Sequence, residues 1–82
     1  MSNLRKMLEE KMENKVLDVC KSNPMMGTPL ASLAVMEAIK VVSENYKKSM
    51  LEGIEQLSLN ETEVIDLIEE VKAKVYNNLI EH

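Results

Sequence analysis

Apolar side chains recur at intervals of three and four residues in three stretches of the chain, which is the spacing of amphipathic helices. Ser2 is placed to cap the first helix, and Pro24 disfavours helical geometry at the residue before it. We therefore predict a first helix over about residues 3–22, followed by a loop. Its apolar stripe consists of Leu4, Met7, Leu8, Met12, Val16, Val19 and Cys20.

The second stretch begins at Thr28 and Pro29, a pair typical of a helix start. The threonine hydroxyl can accept a backbone N–H, and a proline in the first turn loses no hydrogen bond. We predict a helix over about residues 29–56. A break near residues 49–53 stays open, because Gly53 inside a helix costs only about 1 kcal/mol relative to alanine. The apolar positions are Leu30, Leu33, Ala34, Val35, Met36, Ala38, Ile39, Val41, Val42, Tyr46, Met50, Leu51, Ile54 and Leu57.

The first half of this second helix is apolar on nearly every side, as a membrane segment would be. A membrane-spanning helix needs about 20 consecutive apolar residues, whereas Glu37 and Lys40 interrupt this run. We expect no direct membrane insertion. The segment is then either a core helix or a surface that binds a partner, and the core interpretation is favoured.

The third stretch has a clear start, because Asn60 can cap a helix and Glu63 stands at the reciprocal position of a capping box. We predict a third helix over about residues 61–80, with an apolar stripe at Val64, Ile68, Val71, Val75 and Leu79. Short connections between three helices predict an all-α fold, a small antiparallel bundle in a single domain over residues 1–82. A bundle this slender can be completed by a second copy of the chain, that is, by a homodimer.

The charge distribution bears on the partner class. The net charge is −4, and residues 43–82 carry four lysines against nine acids. This balance disfavours nucleic-acid binding, which depends on Lys and Arg at phosphates. A small helical transcription regulator, or another nucleic-acid-associated factor, is kept as the alternative function.

The opening residues lack the apolar run of a signal peptide, and one cysteine allows no internal disulfide, so we expect a cytoplasmic protein.

Catalytic side chains are scarce. The only histidine, His82, lies at the end of the chain, and the only cysteine, Cys20, lies on an apolar stripe with no histidine to activate it. The glycines stand alone, so no phosphate-binding loop can be written. We therefore predict a protein that is not an enzyme and that uses no cofactor or metal.

Two groups of residues are candidates for binding a partner. Glu63, Asp66 and Glu70 share one helix face, which favours a solvated face or an acidic docking surface for a basic partner helix. Lys74 is the expected ion-pair partner of Glu70. Most of the methionines suit core filling, but Met25 and Met26 lie in a loop, where an adaptable apolar pair can contact a partner.

The chain as a whole, and above all its opening MSNLRKMLEEKMENKV, resembles the rIII family of lysis-inhibition accessory proteins of T-even bacteriophages. The resemblance implies a small protein of the host cytoplasm that contacts the cytosolic N-terminal segment of a phage holin. Such a contact would hold back lesion formation and delay host cell lysis. The resemblance assigns no role to any individual residue, because the sequence contains no diagnostic motif of the family. Acidity, helicity and the lack of catalytic groups fit a regulator that binds a partner helix.

Overall fold

The computed structural model describes residues 2–81, apart from the side chain of Ser2. Within these residues the chain forms three α-helices, α1 (Ser2–Cys20), α2 (Ala31–Glu52) and α3 (Glu61–Tyr76), and no β-strand. A π-helical turn, Asn77–Glu81, extends α3. The predicted all-α bundle is confirmed. The predictions about the Ser2 cap and about His82 lie outside the described part of the chain.

The core is built from one face of each helix, and every pair of helices is in contact. Met12, Val16, Val64 and Val75 have no exposed surface at all. Burial of such side chains stabilises the fold by about 1.5–3 kcal/mol each relative to exposure. The core cluster is Leu8, Met12, Val16, Cys20, Val35, Ala38, Ile39, Val42, Val64, Leu67, Ile68, Val71 and Val75.

Two contacts define the direction of α1 relative to α3. Arg5 of α1 pairs with Glu70 of α3, and Glu9 and Glu13, further along α1, bind Asn78, which follows α3. Residue numbers rise together along both helices, so α1 and α3 run in the same direction where they meet. The remaining helix, α2, connects them and packs against both.

The connection from α1 to α2 is a 3₁₀ turn, Pro24–Gly27, which the sequence predicts only as a loop. Asn23 caps it, because its side-chain oxygen accepts the N–H of Met25 at 2.9 Å. Thr28 then accepts the N–H of Leu30 at 3.1 Å through its hydroxyl oxygen. The hydroxyl therefore acts as expected, but regular helix begins at Ala31 rather than at Pro29, because Leu30 has a non-helical backbone.

The connection from α2 to α3 starts at Gly53. Helix α2 therefore ends at Glu52, within the range 49–53 where the sequence left a break open, and does not continue to residue 56. A 3₁₀ turn, Ile54–Gln56, follows. Ser58 then adopts the left-handed region with a φ of 56°, which reverses the chain before α3. The predicted capping box at the start of α3 is confirmed, with both reciprocal hydrogen bonds between Asn60 and Glu63 present.

Candidate partner-binding surfaces

The three acids predicted to bind a partner are exposed but have different surroundings. The Glu63 carboxylate accepts the backbone N–H of Asn60 at 2.9 Å, so it already belongs to the helix cap. Glu70 lies 3.0 Å from the guanidinium of Arg5, a residue 65 positions earlier, and no ion pair with Lys74 is formed among the described residues. Asp66 is exposed and forms neither kind of contact. The row is therefore partly neutralised by α1.

The two predicted groups of binding residues lie near opposite ends of α2. Met25 is half-buried and Met26 is 37% exposed, and both lie just before α2 begins. Glu63 and Asp66 belong to the first turns of α3, after α2 has ended. A helix of 22 residues is about 33 Å long. The structure therefore does not bring the methionine pair and these acids into one site.

Exposed apolar residues occur on α1 and along α2 with its N-terminal end. On α1 they are Met7, Leu17 and Val19. Leu30, Leu33, Met36 and Val41 are between 43% and 53% exposed. The favoured interpretation of this segment as a core helix therefore holds for one side of α2 only. Single exposed apolar residues are ordinary, but several along one helix mark a surface suited to binding.

The first of two grooves beside α2 lies between α2 and α3 and has a volume of about 400 Å³. We call it the α2–α3 groove. Its apolar lining comes from Met36 and Ile39 on one side and Ala73 and Tyr76 on the other. The charged residues beside them are Glu69 and Lys72, and Asn77 completes the lining. The arrangement is an apolar channel with one acid and one base at its edge.

The second groove lies between α1 and α2 and is smaller, at about 270 Å³. Val19, Val41, Val42 and Tyr46 give it an apolar lining, and Lys15 is its only charged residue. Val19 and Val41 are 44% and 46% exposed, although the sequence pattern places both on apolar stripes. The packing of α1 against α2 therefore covers these two side chains only in part.

A polar contact between α1 and α3 is the feature that the sequence pattern misses. The side-chain amide of Asn78 donates to Glu9 at 3.1 Å and to Glu13 at 2.9 Å. Nothing in the local sequence indicates this bridge, because Asn78 is 65 and 69 positions away from the two acids. One amide group of Asn78 thus donates to two carboxylates. The contact holds α1 against the end of α3 and has no catalytic character.

Cys20 has the character of a core residue. Only 2% of it is exposed, and its thiol lies 3.9 Å from the carbonyl oxygen of Ala34, a weak hydrogen bond. Burial raises the pKa of the Cys20 thiol above its ordinary value, which disfavours the reactive thiolate. Over residues 2–81, no group of three or more His, Cys, Asp and Glu side chains could hold a metal ion.

These features define the class of the molecule as a small all-α bundle of three helices with two apolar grooves along α2. Comparisons with protein-family models, with characterised proteins and with solved structures found no match for the chain. None of the helices in residues 2–81 has the length and apolar character needed to cross a membrane.

Proposed function

We propose that this protein is a non-enzymatic cytoplasmic regulator, an adaptor that binds an amphipathic helix of a partner protein in the α2–α3 groove. The observation that supports the proposal is the apolar lining of that groove, where Met36 remains 43% exposed beside Ile39 and Tyr76. A helix that docks in such a groove covers apolar surface and inserts side chains spaced by three and four residues. Methionine adapts its shape to such side chains.

The charges at the groove favour a partner helix with both signs of charge on its polar side. Glu69 can attract a lysine or arginine of the partner, and Lys72, one turn further on, can attract an acid. The net charge of −4 adds a general attraction for a basic segment. These charges fix the direction and register of the bound helix more than its affinity.

The particular partner follows from the resemblance to the phage lysis-inhibition family. On that basis the bound helix is the cytosolic N-terminal segment of a phage holin. Binding of that segment would keep the holin from assembling its lethal membrane lesion, and host cell lysis would be delayed. The regulator would then act in the host cytoplasm without entering the membrane itself.

The proposal can be tested with a fluorescently labelled peptide that carries the holin N-terminal segment. Its anisotropy is measured against the intact protein and against Ala73→Arg, which places a long cation at an exposed position of the groove. Thr62→Arg is the matched control, because it makes a similar change at an exposed α3 position about 16 Å away along the helix.

We expect saturable binding by the intact protein and by Thr62→Arg, and a loss of about tenfold or more for Ala73→Arg. Circular dichroism should show the same helicity in all three proteins. A peptide that does not bind the intact protein would refute the holin as partner. Equal binding by Ala73→Arg would refute the α2–α3 groove as the site.

A further inference from the structure

The outward side of α2 carries a heptad pattern that the bundle core uses only at its C-terminal end. Eight residues are spaced alternately by three and four along the sequence, and we call them the outer seam. Six of them lie on α2, Leu30 precedes the helix with a non-helical backbone, and Ile54 lies in the turn that follows it. Coiled-coil interfaces have this spacing. The outer seam consists of Leu30, Leu33, Glu37, Lys40, Glu44, Lys47, Leu51 and Ile54.

The outer seam is accessible over its N-terminal part. Leu30 and Leu33 are more than half exposed, and Glu37 and Lys40 are also exposed. The final residues of the seam, Leu51 and Ile54, are half-buried and pack against the edge of the core. The rest of the seam is not part of the core cluster, because the core-facing residues of α2 lie on other sides of the helix.

The outer seam is symmetric about Val42 in a complementary sense: positions equally far from Val42 carry either opposite charges or two apolar residues. Leu33 and Leu51 are equally far from Val42, Glu37 is matched by Lys47, and Lys40 is matched by Glu44. Leu30 and Ile54 continue the symmetry at the ends, where Ile54 lies in the turn after α2. Every acid has a base at the mirrored position, and every apolar residue has an apolar one.

This symmetry is what an antiparallel pair of identical helices requires. A twofold axis on the outer side of α2, at the level of Val42 along the helix, places each residue opposite its mirrored position in the other copy. Glu37 then faces Lys47 twice, and Lys40 faces Glu44 twice, while leucines meet at both ends. A parallel pair would instead place each charge opposite itself, so the pattern selects the antiparallel arrangement.

The antiparallel pairing also brings the terminal leucines together. It places Leu33 of the second copy opposite Leu51, on the open surface of α2 beside Lys47 and Lys48. The exposed Leu33 of one copy then covers part of the half-buried Leu51 of the other.

We propose that the outer seam of α2 is the interface for a second copy of this chain, which binds antiparallel through matched Glu–Lys pairs and terminal leucines. One helix from each copy buries little area and central charges weaken the contact, so the dimer forms only at high protein concentration. Glu44 and Lys47 form an ion pair of 3.1 Å within one chain, with side chains 58% and 30% exposed. An ion pair this open to water is weak enough to exchange partners.

The inference goes beyond the proposed function, because the outer seam and the α2–α3 groove are different sides of α2. The groove uses Ile39 and α3, whereas the seam uses Glu37 and Lys40. Met36 of the groove is three residues after Leu33 and four before Lys40, so it borders the seam, and dimerisation is therefore measured without peptide. Failure of peptide binding and failure of dimerisation are consequently independent results.

Sedimentation equilibrium over a range of protein concentrations, without peptide, tests the interface. The variants are Glu37→Lys, Lys47→Glu and the double variant that carries both changes. Positions 37 and 47 are ten residues, about 15 Å, apart on one helix. They therefore cannot contact each other within one chain, and any rescue must come from a second copy.

We expect the intact protein to dimerise as concentration rises, and each single variant to weaken the dimer by about tenfold. The double variant should dimerise like the intact protein, because opposite charges again face each other. An equimolar mixture of the two single variants should also form dimers. Glu10→Lys and Lys11→Glu, which make the same charge changes at exposed α1 positions, should dimerise like the intact protein.

Three results would overturn the proposal. The intact protein could remain a monomer at concentrations up to about 1 mM, an affinity too weak for a specific dimer. The single variants could dimerise as tightly as the intact protein, which would place any dimer on another surface. The double variant could stay as weak as the single ones, which would exclude the antiparallel pairing of positions 37 and 47.

Discussion

The polar bridge at Asn78 gives the most exact test of how α1 packs on α3. Asn78→Asp keeps the shape of the side chain but replaces its donating amide with a carboxylate. The hydrogen bonds to Glu9 and Glu13, 3.1 and 2.9 Å long, are then lost. In their place, three carboxylates meet at one point between two helices.

The cost can be worked from this geometry. A typical hydrogen bond contributes about 1 kcal/mol, and two unit charges 4 Å apart repel by about 1 kcal/mol in water-like surroundings. Glu9, Glu13 and Asn78 are half-buried, so the side chains can move apart and water screens them. We expect the free energy of unfolding at pH 7 to fall by about 2 kcal/mol, which lowers the melting temperature by about 8–16 °C.

The assay is thermal and urea unfolding followed by circular dichroism, at neutral pH and at about pH 3. The introduced carboxylate has a raised pKa in the folded protein, because two like charges surround it. The like-charge part of the penalty is therefore present at neutral pH and is lost as acid protonates the introduced carboxylate. Asn77→Asp, an exposed neighbouring position, is the control and should lose much less stability. Equal losses for the two variants, or a loss independent of pH, would refute the contact between Asn78 and α1.

Two further predictions concern the helix cap and the buried thiol. Asn60→Ala should lower the free energy of unfolding in urea by about 1 kcal/mol, because the N–H of Glu63 loses its 2.8 Å acceptor; an unchanged midpoint would contradict the capping box. Burial raises the pKa of Cys20 above its ordinary 9.0, so above about pH 9 the unfolded chain loses the thiol proton first and the folded state loses stability. The stability difference between the intact protein and Cys20→Ala should therefore narrow from about pH 9 upward, at most by about 1.4 kcal/mol per pH unit. A constant difference would argue against burial of the thiol.

The local parts of the fold were predictable from the sequence. The capping box at Asn60 and the buried stripe of α3 follow from residues within a few positions of one another. Such signals depend on backbone geometry that is the same in every helix. The helix ends were less exact, since α2 begins at Ala31 and ends at Glu52, inside the predicted range of 29–56.

The distribution of exposed apolar residues was not predictable in the same way. Leu33, Met36 and Val41 satisfy the apolar spacing of a core helix, yet only one side of α2 has neighbours to cover it. Which side is covered depends on how the three helices cross, and that depends on the whole core. Periodicity identifies the apolar positions but does not identify the partner that each one meets.

The candidate site shows the same limit at longer range. Glu70 was expected to pair with Lys74 on its own helix, but the structure pairs it with Arg5 from α1. Contacts between residues 65 or more positions apart have no local signature in one sequence. The grooves beside α2 also arise from helix packing. The methionine and acid patterns therefore indicated which kinds of residue could bind a partner, but not where the grooves lie.

The proposed function is tested most directly by nuclear magnetic resonance of the isotope-labelled protein during titration with the holin N-terminal peptide. We predict saturating chemical-shift changes at backbone amides around Met36, Ile39, Lys72, Ala73 and Tyr76, with the amides of Met25 and Asp66 unaffected. Unchanged spectra at saturating peptide, or changes confined to the ends of α2 away from this groove, would contradict the proposal that the α2–α3 groove binds a partner helix.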